Sequence, residues 1–382
     1  MEYRILGRTG LKVGAIALGC EGFADKTAEE VRADFDFAIR NGINFLDLYA
    51  SNPTLRSNIG AALAGRREKF VIQGHLCSVW EEGQYLRTRD PEKSLAAFED
   101  LLARLGTDYV EIGMIHYVDA EADLREVLDG PIMRLAQRLR SEGRIRHIGL
   151  SSHNPVVAHM AARTGLIDVL MFSVNPCYDL LPPSDDVDTL WADESYAREL
   201  HNIDPERQRL YEFCEREGIA IDVMKAYGGG DLLSDANSPF GRPMTPVQCL
   251  EYALTRPGVA AVMAGCRSRA EIEAALAWCS ATAAERDYTG ALAGLDKFSW
   301  EGHCMYCGHC APCSVGIDIA GVNKYYNLTL AQHEIPETVR EHYRLLPHHA
   351  SECIACGRCE RNCPFGVDII GHMRLAAAKF GY

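Results

Sequence analysis

The sequence predicts a closed (β/α)8 barrel over residues 1–285, followed by a small cysteine-rich domain over residues 286–382. Three observations lead to this prediction. Eight short apolar runs alternate with eight amphipathic stretches in the first region, which is the pattern of parallel β/α crossover units. About 285 residues is a natural size for one such barrel. After Ala284, glycine, cysteine and histidine become dense, so a different kind of domain is expected there.

The predicted elements follow one another regularly along the first domain. Residues 3–6 and 11–13, joined by a glycine-containing turn, predict a small hairpin before the barrel. An open, doubly wound sheet is the alternative architecture, and it is disfavoured because no G-x-G-x-x-G motif follows the first apolar run. The candidate strands are residues 15–18, 44–48, 70–74, 109–115, 145–151, 169–174, 219–224 and 259–265. The candidate helices are residues 27–41, 54–64, 91–105, 122–141, 155–164, 205–217, 245–255 and 269–278.

One long segment departs from this alternation. Residues 179–202 lie between the sixth and seventh candidate strands and contain Leu181-Pro182-Pro183. The segment leaves the carboxyl end of a strand, so it could lie over the mouth of the barrel. A plain surface insertion is the alternative, and both stay open at this point.

Charge and composition exclude several classes of function. The formal net charge is −14, so a nucleic-acid backbone would be repelled and no nucleic-acid partner is expected. No apolar run reaches the length of about 18 residues that a membrane span needs. The N-terminal residues lack the pattern of a secretory signal. We therefore expect a cytoplasmic protein whose fifteen cysteines are thiols or metal ligands and not disulfides.

Two cysteine runs dominate the second domain. They are Cys304-x-x-Cys307-x-x-Cys310-x-x-Cys313 and Cys353-x-x-Cys356-x-x-Cys359-x-x-x-Cys363-Pro364. The second run has the bacterial ferredoxin spacing, in which three cysteines hold one [4Fe–4S] cluster and the fourth ligates the other cluster. This rule predicts one cluster held by Cys304, Cys307, Cys310 and Cys363, and a second cluster held by Cys353, Cys356, Cys359 and Cys313.

Structural zinc sites and surplus thiols are the alternatives for these two runs. Zinc sites usually pair two C-x2-C units across a long spacer, whereas triplets at two-residue spacing are typical of cubane clusters. The sequence therefore predicts a ferredoxin-like iron–sulfur domain. The other seven cysteines are scattered. All but Cys77 and Cys177, which follow strand ends, are expected to be small buried apolar residues.

Polar residues follow the apolar runs of the predicted barrel. The carboxyl ends of barrel strands meet at one mouth, where catalytic groups are found. An Asp, two His and a Lys at such positions form a credible acid–base set, although a single His there is equally compatible with a structural role. The main candidates at these strand ends are Asp47, Tyr49, Asn52, His75, His116, Ser151, Ser152, Lys225, Gly265, Arg267 and Ser268.

Four segments of the first domain resemble a known enzyme family. Residues 42–47, 109–116, 143–152 and 264–268 are similar to the signature segments of aldo-keto reductases. With its C-terminal cysteines, the whole chain resembles the iron–sulfur-containing branch of that family. The resemblance implies reduction of a carbonyl compound by NAD(P)H, with an Asp, Tyr, Lys and His tetrad at the barrel mouth.

The tetrad is only partly kept in this chain. Asp47 and His116 stand at the Asp and His positions of the family, whereas the Tyr position is Asn52 and the Lys position is His75. The family's usual proton donor and the Lys beside it are both replaced. Tyr49 is the candidate substitute for the tyrosine. His75 is a candidate acid–base in its own right, since free imidazole titrates near neutral pH.

The cofactor positions also depart from the family pattern. The carboxamide-binding positions map to Ser152, beside Ser151, and to Pro176, and the aromatic that stacks on the nicotinamide maps to Lys225. The loop after the eighth strand keeps the polar character expected for the adenosine phosphate, with Gly265, Arg267, Ser268 and Glu271. NAD(P)(H) is therefore the cofactor that the resemblance implies. A flavin stays an open alternative, because a nicotinamide transfers a hydride whereas a cluster accepts one electron.

Three functions fit these residues. The favoured one is an oxidoreductase for a small organic carbonyl or alcohol, in which His75 and His116 move the proton. Its clusters would relay electrons from a ferredoxin-type partner or a nicotinamide. The second is a redox-neutral dehydratase, isomerase or lyase that uses Asp47 with the two histidines. The third is a non-catalytic electron-transfer subunit whose barrel serves as a docking scaffold.

Overall fold

Eight parallel strands close into a barrel in the computed structural model, which describes residues 1–295, 297–330 and 335–382. Each strand pairs with the next along the chain, and the last pairs with the first. We label them β1–β8 in chain order: Ile16–Gly19, Phe45–Leu48, Val71–Leu76, Val110–Ile115, Ile145–Ser152, Val169–Ser173, Ala220–Met224 and Val259–Gly265. The predicted (β/α)8 barrel is confirmed, and so is the N-terminal hairpin, which pairs Tyr3–Ile5 with Lys12–Gly14.

Helices connect the strands and cover the barrel. They are Ala28–Arg40, Pro53–Leu63, Pro91–Leu105, Glu121–Asp129, Pro131–Ser141, Pro155–Arg163, Pro205–Glu217, Pro246–Leu254 and Arg269–Leu276. Many of them begin with a proline, whose missing N–H is harmless at the first helical position. The single helix predicted over residues 122–141 is wrong in one respect. It breaks at Gly130, because the residue before Pro131 is driven into an extended conformation.

The barrel is a packed core whose polarity changes along its axis. Near the amino ends of the strands its interior is filled by apolar side chains such as Phe45, Val71 and Val169, and Leu6 and Val13 of the N-terminal region join this cluster. Further along the strands, the buried interior residues Gln73, His75 and Asp222 are polar. Burying such groups is expensive unless they bond to one another, so a built site is expected toward the mouth.

Two insertions lie at the carboxyl ends of the strands. After β3 the chain forms an antiparallel hairpin of Ser78–Glu81 and Gln84–Arg87. After β6, the predicted loop of residues 179–202 contains three short 3-10 turns and ends in the strand Leu200–His201. This strand pairs in parallel with Phe298–Ser299, which leads into the C-terminal domain. The loop is thus fastened to the segment that joins the two parts of the chain.

The C-terminal region is built from two similar halves. Each cysteine run is followed by a helix, Ile319–Leu330 or Ile369–Phe380, and the two helices pack against each other. The shorter helices of this region are Glu337–Arg344 and Arg358–Asn362. At the third position of each run, Tyr306 and Ala355 both have a left-handed backbone, with φ of 55° and 52°. The repeat that the cysteine spacing indicates therefore extends to the backbone.

The C-terminal region packs on the flank of the barrel. Lys324 forms an ion pair with Glu215 of the helix after β6, with 2.6 Å between Nζ and Oε1. Short helices at Ala283–Arg286 and Thr289–Leu292 lie near the domain boundary expected at residue 285, which stays a prediction. Across the ranges that the structure describes, no helix has the length and apolar character that crossing a membrane requires.

Candidate functional site

Three side chains from neighbouring strands form a hydrogen-bonded chain at the barrel mouth. Asp47 on β2 pairs in register with Gln73 on β3, and His75 follows two residues later on the same face. The Nε2 atom of His75 lies 2.8 Å from Oδ1 of Asp47. Its Nδ1 atom lies 2.8 Å from Nδ1 of His116, which directly follows β4. The structure therefore joins three of the five predicted catalytic residues in one hydrogen-bonded chain.

The two histidines occupy different positions in this chain. The side chain of His75 is fully buried, and both of its ring nitrogens have partners. His116 uses only Nδ1 for this contact and is partly exposed, so its Nε2 is the ring nitrogen free for a further partner. His75 can donate to Asp47 in two states. A neutral His75 accepts the Nδ1 hydrogen of His116, whereas a His75 that is protonated on both nitrogens donates its own Nδ1 hydrogen to His116. The state of the pair thus decides whether His116 Nε2 is a base or an acid.

Burial and positive neighbours act on His116. Burial is the largest effect, and the nearby His75 and Arg89 add to it, so the pKa of His116 lies well below its ordinary value. Arg89 also fixes the backbone here: its guanidinium donates to the carbonyl oxygens of His116, at 3.0 Å, and of Tyr117, at 2.7 Å. Asp123 holds Arg89 through both carboxylate oxygens. A neutral His116 on a clamped backbone is the result.

Gln73 connects Asp47 to a second buried carboxyl group. Its Nε2 donates to Oδ1 of Asp47 at 2.9 Å and to Oδ2 of Asp222, on β7, at 3.1 Å. Burial first, and the charge of Asp47 second, raise the pKa of Asp222 well above its ordinary value. Two acceptor atoms of this pair, Oε1 of Gln73 and Oδ1 of Asp222, are buried without a donor. A proton on Asp222 would supply a donor that this pair of side chains lacks.

Aromatic rings form the walls around His116. The ring of Tyr49 lies parallel to the His116 imidazole, with 5.5 Å between their centroids. Tyr85, on the hairpin after β3, meets Tyr49 and His116 edge-on at 6.0 and 5.5 Å. Burial, with the nearby Glu21 carboxylate, raises the pKa of Tyr49, and burial raises that of Tyr85 to about 12. Both phenols are therefore weak acids, and their rings shield the imidazole from water.

The remaining predicted residues near the mouth are engaged elsewhere. The side-chain oxygen of Asn52 caps the helix that begins at Pro53, where it accepts from the backbone of Leu55 at 3.0 Å. The hydroxyl of Ser151 accepts from the Tyr117 backbone at 2.7 Å. The hydroxyl of Ser152 donates to Asp119 at 2.9 Å. Ser152 is thus already committed at the position where the resemblance expects a contact to the nicotinamide carboxamide.

The two ends of the expected nucleotide site differ in their fit. At the nicotinamide end, Lys225 has a left-handed backbone, with φ of 62°, and its Nζ lies 5.4 Å from the ring of Trp191 in the 179–202 loop. At the phosphate end, Gly265 and Arg267 are exposed, and a Cβ on Gly265 would meet nothing within 4 Å. Ser268 and Glu271 bond within the turn that starts the next helix. The phosphate end is thus open and carries an exposed cation, whereas the nicotinamide end departs from the expected contacts.

Eight cysteines of the C-terminal region surround two cavities. One cavity is lined by Cys304, Cys307, Cys310 and Cys363. The other is lined by Cys313, Cys353, Cys356 and Cys359. Each cavity combines three cysteines of one run with the last cysteine of the other run. Four thiols around a space that is otherwise lined mainly by apolar side chains suit an iron–sulfur cluster.

The two cavities differ in their exposure. Burial raises the pKa of Cys304 to about 12, and the positive charge of Arg256 opposes this effect. Cys356 of the other cavity is exposed, and backbone and Ser314 hydrogen bonds lower its pKa. The first cavity thus faces the barrel, whereas the second opens toward solvent.

Comparison with known proteins accounts for both parts of the chain. A model of the aldo/keto reductase family matches residues 11–246. The chain belongs to this family. A model of the 4Fe-4S dicluster domain matches residues 303–368, so the C-terminal region of this aldo/keto reductase is an iron–sulfur domain. Both matches agree with the expectations drawn from the sequence.

Curated relatives cover only part of this chain. The oxidoreductase YqkF of Bacillus subtilis is 27% identical over 176 residues, which are 45% of this chain and 56% of that protein. L-Galactose dehydrogenase of Arabidopsis thaliana is 28% identical over 202 residues, covering 48% of this chain and 61% of that protein. L-Glyceraldehyde 3-phosphate reductase of Escherichia coli K12 is 30% identical over 165 residues, which cover 41% of this chain and 46% of that protein. The chain thus spans between 46% and 61% of these relatives' lengths.

Solved structures support the fold. The holo form of the aldo-keto reductase AKR11C1 from Bacillus halodurans superposes with a TM-score of 0.58 at 23% identity, over 75% of this chain and 94% of that chain. PA4992 from Pseudomonas aeruginosa superposes with a TM-score of 0.55 at 22% identity, over 73% of this chain and 95% of that chain. At this level of identity the likeness concerns the barrel alone.

Sequence analysis missed Gln73, Asp222, Tyr85 and Arg89. Gln73 and Asp222 lie inside apolar runs, and a single polar residue in such a run was the available signal for both. The hairpin that carries Tyr85 was signalled by Glu82-Gly83 between Val79-Trp80 and Tyr85-Leu86. No sequence signal connects Arg89 to His116, since their contact depends on the path of the loop after β3.

Proposed function

We propose that this protein is an oxidoreductase that acts on a small organic carbonyl or alcohol at the barrel mouth. In this proposal, two [4Fe–4S] clusters in the C-terminal domain transfer electrons. The observation that carries the proposal is the hydrogen-bonded chain from Asp47 through His75 to His116, at the position where this family performs its chemistry. Membership in the aldo/keto reductase family gives the reaction type.

His116 is the residue that meets the substrate in this proposal. Reduction of a carbonyl places negative charge on its oxygen, and a proton from Nε2 of His116 neutralises that charge. His75, which in this step begins protonated on both nitrogens beside the Asp47 carboxylate, passes its Nδ1 hydrogen to His116 and becomes neutral. Alcohol oxidation is the same path in reverse. His75 and Asp47 act through His116 and do not touch the substrate.

NAD(P)(H) is the proposed cofactor, and when bound it supplies or accepts the hydride. Arg267 and the open cradle at Gly265 would hold its phosphate end. The committed hydroxyl of Ser152 and the left-handed backbone of Lys225 would require a nicotinamide contact different from the family's usual one. Tyr49 and Tyr85 exclude water from His116 in either direction of the reaction.

The eight cysteines would hold the two clusters in the crossed arrangement, with three ligands from one run and the last cysteine of the other run. A cluster transfers one electron at a time, so a ferredoxin-type partner is the proposed source or acceptor. The exposed cavity around Cys356 is the side that such a partner could reach. Iron and sulfide analysis of the reconstituted protein tests the number of clusters. About eight iron atoms per chain are expected for two [4Fe–4S] clusters.

An anaerobic titration tests the function as a whole. The reconstituted protein is titrated with NADH and then with NADPH, while nicotinamide fluorescence and the broad cluster absorbance are followed together. Nucleotide binding with cluster bleaching supports an oxidoreductase with a connected electron path. Binding without bleaching supports a reductase whose clusters serve another partner. Failure to bind at millimolar nucleotide contradicts the NAD(P)-dependent form of the proposal.

A redox-neutral acid–base enzyme is the second candidate. It is favoured by one observation: the family's Tyr and Lys are replaced, while Asp47, His75 and His116 form a complete proton-transfer chain without them. Such an enzyme turns over equally with its clusters oxidised or reduced and needs no nucleotide. A substrate whose conversion requires neither electrons nor NAD(P)H would replace the first proposal with this one.

A further inference from the structure

Arg256 is a buried cation beside the cavity that faces the barrel. Only 2% of its surface is exposed. Its guanidinium donates to the carbonyl oxygen of Met305, which lies between Cys304 and Cys307, and to the hydroxyl of Tyr288 at 3.1 Å. Its Cζ lies 5.4 Å from the ring of Tyr306, a residue that lines the cavity. The guanidinium therefore lies against the loop that carries Cys304 and Cys307.

No acid is paired with Arg256 alone. The buried Asp179 carboxylate acts on its charge, but Asp179 already lies 3.5 Å from Nη1 of Arg207, so two buried guanidinium groups share one acid. All hydrogen bonds of Arg256 go to neutral oxygen atoms, those of Tyr252, Thr255, Tyr288 and Met305. Its Nη1 is buried and has no hydrogen-bond partner. Within residues 1–295, 297–330 and 335–382, no carboxylate forms an ion pair with it. An uncompensated buried charge is strongly destabilising, so a negative group should lie close by.

A [4Fe–4S] cluster with four thiolate ligands carries a net negative charge and would supply that balance. Arg256 reaches the ligand loop directly, since its guanidinium donates to the carbonyl oxygen of Met305, the residue that follows Cys304. The geometry points to Arg256 as the charge partner of the cluster held by Cys304, Cys307, Cys310 and Cys363. This inference rests on the two-cluster assignment proposed above and is independent of the barrel reaction.

The pseudo-repeat of the domain provides an internal comparison. Ala355 takes the place of Tyr306 in the second run, and both it and its neighbour Ile354 are exposed, Ile354 by 62%. Arg361 is the cation near that run, where Nη1 lies 3.4 Å from the carbonyl oxygen of Cys356, and its side chain is exposed to water. The two halves thus share a backbone plan, and only the half that touches the barrel has a buried guanidinium.

This difference determines the electrochemistry of one cluster. Reduction adds one electron and one negative charge to the cluster, and no bond forms or breaks at Arg256. The positive charge stabilises the reduced form more than the oxidised form, and it does so strongly because little water screens the pair. Arg256 therefore raises the reduction potential of the barrel-facing cluster above the value that burial alone would give. Water screens the exposed Arg361, so it affects its own cluster less.

Potentiometric titration with dithionite, followed by EPR of the reconstituted holoprotein, tests this inference. Cys356→Ser assigns the signals, because it perturbs the exposed cluster only. Arg256→Gln should shift the midpoint potential of the barrel-facing cluster to a more negative value and leave that of the other cluster unchanged. Arg256→Lys keeps the positive charge, so the midpoint potential of the barrel-facing cluster should stay close to its value in the unsubstituted protein. Arg361→Gln is the matched control and should produce a smaller shift, confined to the exposed cluster.

The outcomes separate this inference from the proposals on which it stands. Two clusters per chain with unchanged potentials in Arg256→Gln overturn the role of Arg256 and leave the two-cluster assignment intact. Iron analysis that gives fewer than two clusters in the unsubstituted protein overturns the assignment itself. If Arg256→Gln loses the barrel-facing cluster while Arg256→Lys retains it, the requirement for positive charge is supported. Loss of that cluster in both variants counts against a charge role.

Discussion

The Nδ1 atoms of His75 and His116 lie 2.8 Å apart, so a single hydrogen is shared between two rings that cannot both donate. Asp47 fixes the other nitrogen of His75 at 2.8 Å. The proton state of the free nitrogen of His116 therefore depends on a carboxylate that lies two hydrogen bonds away from it. Residues coupled in this way are expected to act as one unit.

Substitution of either histidine should abolish most of the barrel's activity. We expect His116→Ala and His75→Ala each to lower kcat by about 100-fold or more, because each removes the general acid–base path. The double variant should be no worse than the single variants, since the residues are not independent. Steady-state kinetics on a carbonyl substrate measure this. Additive losses would show that the histidines act separately.

Tyr49 should be dispensable as a proton donor. Burial and the Glu21 carboxylate raise its pKa, and the family's lysine, which would lower it, is absent. We expect Tyr49→Phe to retain activity within about 10-fold of the unsubstituted protein, well short of the loss that removal of a general acid causes. Tyr49→Ala should lose more, because it removes the ring that lies parallel to His116. A loss in Tyr49→Phe as large as that in His116→Ala would make Tyr49 the acid.

Asp222→Asn should stabilise the folded protein at neutral pH. The raised pKa of Asp222 means that the folded protein resists ionisation of this carboxyl group. The unfolded chain releases the proton near pH 3.8, so the stability that the neutral carboxyl contributes at low pH is lost as the pH rises above this value. An amide mimics the neutral acid and offers a donor to Oε1 of Gln73. We expect a gain of about 1 kcal/mol or more. Thermal unfolding of Asp222→Asn at pH 5 and pH 8 measures this gain in stability. An equal loss of stability at both pH values would contradict the prediction.

His116 should resist protonation in the folded state. Its lowered pKa predicts that the imidazole stays neutral when pH falls below 6.5, the ordinary value for histidine. The unfolded chain takes up that proton near pH 6.5, so the fold loses stability as pH falls through this value. NMR of protein with labelled histidine rings measures the titration directly, with the His116 signal assigned by its absence in His116→Gln. A His116 midpoint near 6.5 would show the prediction to be wrong.

Single cysteine variants should reveal the crossed ligand sets. Cys313→Ala should remove the same EPR signal as Cys356→Ala, because both line one cavity. Cys363→Ala should remove the same signal as Cys307→Ala. If each run instead held its own cluster, Cys313→Ala would match Cys307→Ala. The pairing of signals decides between these arrangements without prior assignment of either cluster.

The fold was predictable because its signals are local. Alternating apolar and amphipathic segments give the barrel, and the spacing of Cys353, Cys356, Cys359 and Cys363 gives the iron–sulfur domain. Asp47, His75 and His116 were also predictable as a group, since the closing of parallel strands brings their carboxyl ends to one mouth.

The division of labour at the site was not predictable. His75 and His116 differ in exposure by their depth in the mouth, and sequence does not encode depth. The same holds for Arg256, which lies roughly 50 residues before the first cysteine run and reaches the Met305 carbonyl of that run through tertiary packing alone. Asn52 was a candidate because of its position, yet it caps a helix, which is what asparagine before a Pro-initiated helix commonly does.

The short parallel pairing of Leu200–His201 with Phe298–Ser299 has a consequence for how the chain matures. Roughly 100 residues separate its two strands, so β7 and β8 leave the ribosome before the second strand does. A nascent barrel therefore has its loop of residues 179–202 untethered and its mouth open. The mouth acquires its final shape only when the linker to the iron–sulfur domain has emerged and docked. This pairing thus links the completion of the barrel mouth to the docking of the iron–sulfur domain.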